Sequence, residues 1–179
     1  MANHALIIGG TGQIGRAVGR KLLRDGWSVT FASRGGKIPN DAIGFGAKAI
    51  SLDRDQAGAL AQAIGEGADA VIDTVAYDET HAAQLLDIEG SVGQFVVVSS
   101  SSVYCDAAGR TLDEAREKGF PDLPDGMTED QPTVEPSSKN YSTKKVALER
   151  RLLDNAKRPV TILRPGAIHG THSRHPREW

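Results

Sequence analysis

The chain has 179 residues, with Lys+Arg 21 against Asp+Glu 23, which suits one domain with a sizeable core and gives no basic excess to suggest nucleic acid. Cys105 is the single cysteine, which excludes an internal disulfide and points to a reducing compartment. No leader pattern opens the chain and no apolar run approaches the roughly 20 residues of a membrane span, so the expectation is a cytoplasmic protein without membrane contact.

Ala5 to Ile8 is a short apolar run bounded by glycine, as expected of a strand buried on both faces. It breaks into Gly9-Gly10-Thr11-Gly12-Gln13-Ile14-Gly15, three glycines spaced three apart. Gly9 permits a sharp turn, Gly12 lets the backbone approach a pyrophosphate, and Gly15 lets a helix pack close against the strand. The helix start adds unpaired N–H groups and a partial positive charge. Strand, turn and helix in this order predict a dinucleotide site on Gly9, Thr11, Gly12, Gln13, Ile14 and Gly15, the alternative being a tight turn with no ligand. Ile14, Val18, Leu22 and Leu23 continue at helical spacing to Gly26, which suits a helix end.

Trp27 to Ala32 is the second strand, ending at Ser33-Arg34-Gly35-Gly36. An acidic residue here would hold the adenosine ribose hydroxyls, whereas a basic one accommodates a 2′-phosphate. Ser33, Arg34 and Lys37 offer donors only, which favours NADP(H), with NAD(H) as the alternative if Arg34 is a solvated loop charge. Ala47 to Leu52 is a third strand, followed by Asp53-Arg54-Asp55 and a helix over Gln56 to Gly65. Ala70 to Val75 is a fourth strand, and its embedded Asp73 is read as hydrogen-bonded to nearby backbone rather than facing a ligand. Asp78 to Ile88 reads as a helix with His81 on its surface or packing face, and Gln94 to Val98 as a fifth, continuous β-branched strand.

Regularity then lapses through an irregular acidic loop at 104–138, a candidate substrate-side flap. Within it Thr111-Leu112-Asp113-Glu114 has a capping-box pattern and Gly119 a helix stop, predicting one short surface helix. Lys139 to Asn155 reads as a strong helix and Arg158 to Leu163 as a sixth strand. Strand and helix alternate throughout, which predicts an α/β fold, a doubly wound parallel sheet with helices on both faces, as one domain over residues 1–179. His169, His172 and His175 are read as incidental loop residues, and no metal is expected.

Tyr141 and Lys145 lie four apart on one helix face. An ammonium near the phenol would lower its pKa toward working pH and make Tyr141 a usable acid or base. The hydroxyls of Ser99 to Ser102 emerge at the end of the fifth strand, where open α/β sheets bind ligands, and could hold a substrate oxygen beside Tyr141.

The glycine loop, Ser99-Ser100-Ser101-Ser102-Val103-Tyr104, Thr128-Glu129-Asp130-Gln131-Pro132, Tyr141-Ser142-Thr143-Lys144-Lys145 and Leu163-Arg164-Pro165-Gly166 together resemble an extended short-chain dehydrogenase/reductase of the NAD-dependent epimerase/dehydratase family. The resemblance implies a Rossmann-like sheet in the order 3-2-1-4-5-6. It also implies an oxidoreductase, epimerase or dehydratase acting on a carbonyl or secondary alcohol, such as a nucleotide-sugar. By resemblance Tyr141 is the acid/base, Lys145 binds the nicotinamide ribose, and Ser100, with Ser101 as fallback, completes the triad. Asp53 would meet the adenine, Thr74, Val75, Ala76 and Ser99 would line the cofactor, and Pro165 to Ile168 would pass near the nicotinamide. Leu52 stands where the family has glycine. Extended members carry a further C-terminal substrate region, whereas this chain stops at Trp179, so the cofactor-binding and catalytic half is expected without it. Family members also dimerise through the tyrosine-bearing helix, although Val146, Leu148 and Leu152 could equally be core. The competing reading is a non-catalytic NAD(P)-binding sensor or an RNA-associated module, since chloroplast stem-loop RNA-binding proteins are similar around the glycine loop and Asp53-Arg54-Asp55.

Overall fold

A computed structural model describes residues 2–169. Six strands form one sheet: β1 (His4–Ile8), β2 (Ser28–Ser33), β3 (Lys48–Ser51), β4 (Ala68–Asp73), β5 (Val92–Val98) and β6 (Val160–Leu163). Their order is β3-β2-β1-β4-β5-β6, with every neighbouring pair parallel. The expected order therefore holds. Alternation of side chains along β1 feeds two cores. Ala5 and Ile7 join Val29, Phe31 and Ile72 under Val18, Leu22 and Leu23 of helix α1 (Gln13–Arg24). Leu6 and Ile8 face the opposite side. There they meet Leu60 and Ile64 of α2 (Ala59–Ile64), Leu85 of α3 (Glu79–Asp87) and Leu148 and Leu152 of α5 (Tyr141–Asn155). Val146, Leu148 and Leu152 are thus all core residues.

Element ends differ from the sequence expectations for identifiable reasons. β4 stops at Asp73 rather than Val75, because the Asp73 carboxylate captures the Val75 and Ala76 amides. α2 starts at Ala59 rather than Gln56, because Gly58 precedes it in the left-handed region at φ 74°. α5 starts at Tyr141 rather than Lys139. Asn140 caps it by accepting from the Thr143 amide, and the Thr143 hydroxyl closes the box on the Asn140 amide. The expected box at Thr111 does not form, and Thr111 Oγ1 is buried without a partner. A 3₁₀ turn over Leu112–Glu114 leads instead into α4 (Ala115–Lys118), which Gly119 ends at φ 79° as expected.

The 104–138 segment is braced rather than loose. Tyr104 bridges Thr133, the Cys105 and Val134 amides donate to Pro132 O and Val103 O, and Gln131 Nε2 reaches Cys105 O at 2.9 Å. Leu123 and Val134 pack on Val103, Tyr104 and Val146. Among the described residues no helix is long and apolar enough to cross a membrane.

Candidate functional site

β1 lies between β2 and β4, so successive crossovers run to opposite sides of it and a crevice opens beyond the strand ends. Gly9 leaves β1 at φ 80° and its amide donates to Ala32 O at 3.0 Å, hanging the turn from the end of β2. A Cβ at Gly9 would lie 2.4 Å from Thr74 Oγ1, whereas at Gly12 the nearest atom is Gly9 O at 3.2 Å, and Gly12 is exposed. Gly15 does not have the expected role against the strand. Its Cβ would meet Gly9 O at 2.5 Å, so it seats the helix on the turn itself. Close approach to the sheet falls at Gly19, where a Cβ would meet the Phe31 ring at 2.3 Å and Ile7 at 3.1 Å. Gly15 and Gly19 lie one turn apart, and that spacing was the available signal for Gly19. No side chain caps α1 and its first turn has no acidic residue, which leaves its amides directed at the crevice.

A cleft of about 1190 Å³ extends from this turn along the carboxyl edge of the sheet. Of the expected residues, Gly9, Thr11, Gly12, Gln13, Ser33 and Arg34 line it at the turn, with Asp53 and Val75 beside them. Ser100, Pro165 and Ile168 line its other end. Ile14 instead faces a smaller apolar hollow of about 430 Å³ with Val98 and Leu163. Ser33 Oγ and Ser102 Oγ, at opposite ends of the cleft, are buried without hydrogen-bond partners. Buried hydroxyls are normally satisfied, so two orphans on residues that line one cleft suit a polar ligand spanning it. The residues present therefore fit a dinucleotide. The sequence reading missed Arg54, His81, Leu112 and Phe120, which also line the cleft. Phe120, 77% exposed in an acidic loop, was the most legible of these.

Asp73 has the structural role anticipated for it. Fully buried, it accepts from the Val75 and Ala76 amides at 2.9 and 2.8 Å and from Arg54 Nη1 at 2.7 Å. Ala76 is buried, and the Thr74 hydroxyl donates to Ile8 O, so neither side chain faces the cleft. Ser99 is buried as well, its amide donating to Leu163 O.

Neither Tyr141 nor Lys145 lines the cleft; Lys145 is buried and its Nζ donates to Ala76 O and to Val98 O, the latter at 3.0 Å. Two of its three N–H donors are thereby used. Burial lowers its pKa, while Asp73 and Glu149 oppose the fall. The expectation that Lys145 would depress the Tyr141 pKa is not met. Burial raises the Tyr141 phenol above its usual value, the Ser100 side chain opposes the rise, and Tyr77 and Asp113 reinforce it. The physical reason is orientation: the ammonium is aimed at two carbonyls and lies 5.6 Å from the Tyr141 ring centroid. The Tyr77 ring lies 5.7 Å from the Tyr141 ring, centroid to centroid. Burial of the Tyr141 side chain thus favours its neutral phenol form. His172 and His175 lie outside the described residues, among which no His, Cys, Asp or Glu group could hold a metal.

The family model described as NAD(P)H-binding matches residues 9–177. Among solved structures, the Bordetella bronchiseptica enzyme WbmH in complex with NAD+ is similar at 18% identity and a TM-score of 0.73, over 98% of this chain and 60% of its own. A UDP-glucose 4-epimerase is 26% identical with a TM-score of 0.65, over 90% of this chain and 51% of its own. A short-chain dehydrogenase/reductase from Veillonella parvula DSM 2008 is 19% identical with a TM-score of 0.62, over 92% and 69%. The chain thus spans little more than half the length of the first two. No curated protein matches it.

Proposed function

This chain belongs to the NAD(P)H-binding family, with the fold of the extended short-chain dehydrogenase/reductases, and from that premise we propose that residues 1–179 form the cofactor-binding and catalytic half of an enzyme acting on a carbonyl or secondary alcohol. The observation that carries the proposal is the cleft itself, which joins a glycine turn and an orphaned Ser33 hydroxyl to Ser100 and an orphaned Ser102 hydroxyl. Gly9, Gly12 and the first amides of α1 cradle the pyrophosphate, and Asp53 meets the adenosine. The nicotinamide, when bound, supplies hydride transfer. Tyr141 gives a proton to the substrate oxygen in the reducing direction, consistent with its raised pKa, and Ser100 orients that oxygen. Lys145, with one N–H donor left, binds the nicotinamide ribose. A substrate with a sugar nucleotide is in keeping with the UDP-glucose 4-epimerase among the similar structures. Ser33 and Arg34, with no carboxylate at the end of β2, favour NADPH over NADH.

Calorimetric titration of both cofactors against wild type and Arg34→Ala tests the binding half. Wild type should prefer NADPH, and Arg34→Ala should lose about tenfold of NADPH affinity with NADH unchanged, as expected for one charge-assisted contact. An unchanged preference rejects Arg34 as the phosphate reader, and binding of neither cofactor rejects the proposal.

A further inference from the structure

We propose that His81 and Asp73 are positioning residues for Lys145, and that Arg54 ties their arrangement to the adenosine end of the cleft. The inference rests on the reading of Lys145 as a cofactor contact. Its starting point is the segment after β4, in which three consecutive amides are all bound by side chains. Asp73 Oδ1 takes those of Val75 and Ala76, and His81 Nδ1 takes that of Tyr77 at 2.8 Å. The third of these matters most. In a trans peptide the N–H and the preceding C=O point in opposite directions. With the Tyr77 N–H turned to His81, the Ala76 carbonyl faces the other way, and there it accepts from Lys145 Nζ. His81 and Lys145 therefore hold one peptide plane from its two sides. Because Nδ1 is an acceptor, the ring is the neutral tautomer with its proton on Nε2.

Arg54 closes the arrangement. Its guanidinium donates to Asp73 Oδ2, to Gln84 Oε1 at 3.0 Å and to His81 O at 3.5 Å, while Gln84 Nε2 returns to Arg54 O at 2.9 Å. A side chain from the segment carrying Asp53 is thus anchored to the end of β4 and to the first turns of α3. The Arg54 and Asp73 side chains are 10% and 0% exposed, so the pair cannot rearrange without baring a charge. Both Arg54 and His81 reach the cleft wall. Filling the adenosine end consequently bears on the same network that orients the lysine.

The test separates orientation of Lys145 from direct ligand contact. Two ligands are titrated against the full chain: the nicotinamide cofactor that wild type binds more tightly, and ADP (2′-phosphorylated if that cofactor is NADPH), which lacks the nicotinamide ribose. His81→Phe keeps bulk and removes the acceptor. It should weaken the cofactor about tenfold and leave ADP within about twofold, the same split that Lys145→Met should give. The Arg54→Gln/Asp73→Asn double variant removes both members of that ion pair together and should show the split too, which keeps the test valid if either single variant fails to fold. Equal weakening of both ligands by His81→Phe and by the double variant would mean direct adenosine contact or general damage, and would overturn the proposal. A Lys145→Met variant that binds both ligands as wild type does removes Lys145 from the cofactor site and the proposal with it. A split in Lys145→Met with none in the other two overturns the positioning role alone.

Discussion

Gly15 seats α1 directly on the glycine turn, and substitution should show how closely. An alanine Cβ at Gly15 would sit 2.5 Å from Gly9 O and 2.8 Å from Gly10 Cα, both backbone atoms with no side chain to yield. Gly15→Ala should therefore cost about 1–3 kcal/mol, the range for overpacking a tight site, and should also weaken cofactor binding by shifting the turn. Gly90→Ala is the control: nothing lies within 4 Å of its Cβ and its φ is not left-handed, so the change should stay within about 0.5 kcal/mol. Urea unfolding of both variants checks this, and a Gly15→Ala as stable as wild type would show that the turn relaxes freely. The glycine spacing made the turn legible because each φ and each close approach is a local demand on the chain. Which backbone each glycine meets depends on packing, and so Gly15 and Gly19 were told apart only by the fold. Tyr141 and Lys145 show the same limit. Their spacing placed them on one helix, but the direction of the ammonium follows from two carbonyls 69 and 47 residues earlier in the chain.

At the scale of elements, the loop between β5 and α5 is organised by one carboxylate. Asp106 Oδ1 accepts from the Ala108 and Arg110 amides, and Oδ2 from Arg110 Nε at 2.7 Å and the Asp122 amide at 3.0 Å. The Asp122 amide does most to hold the Asp106 pKa down to about 2, with the Arg110 amide next. An unfolded aspartate titrates near 3.9. The folded pKa is the depressed one, so the stabilisation is complete above about pH 4 and is lost as pH falls toward 2. Amide exchange at Asp122 and Arg110, followed by NMR after correction for intrinsic rates, should accelerate through that window, and Asp106→Asn should show the acceleration already at pH 5. Exchange that follows global unfolding at every pH would reject the local role. None of this was legible in the sequence, where an acidic loop rich in Gly and Pro resembles a flap. A bond from residue 106 to residue 122 has no periodicity to announce it. Helix α5 was legible apart from its first turn, since Asn140 and Thr143 sit within a stretch already helical in pattern.

For the whole molecule, the sheet could be read almost strand by strand, because a parallel strand buried on both faces is a continuous apolar run and each such run here is bounded by a turn. The ties between distant elements could not, because they are made by charges that a sequence presents as surface. Glu149 on α5 is 1% exposed and is gripped by Arg164, which follows β6, through Nε at 3.2 Å and Nη2 at 2.7 Å. The Glu149 carboxylate is the largest cause of the raised Arg164 pKa. Arg164 also donates to Tyr104 Oη at 3.2 Å and lies 5.0 Å from that ring, so one residue joins α5, the edge of the sheet and the start of the acidic loop. Removing it strands a carboxylate in the core. Arg164→Met should therefore cost about 3–5 kcal/mol and lower Tm by roughly 10 °C. Glu149→Leu/Arg164→Met, which removes both members of the pair, should recover at least half of that loss, because the cost of Arg164→Met lies in the unpaired Glu149 rather than in the absent pair. Denaturant and thermal unfolding of the two variants decide the matter. A double variant no more stable than Arg164→Met would mean that the contacts to Tyr104 and the loop, and not the ion pair, fasten the sheet edge to α5.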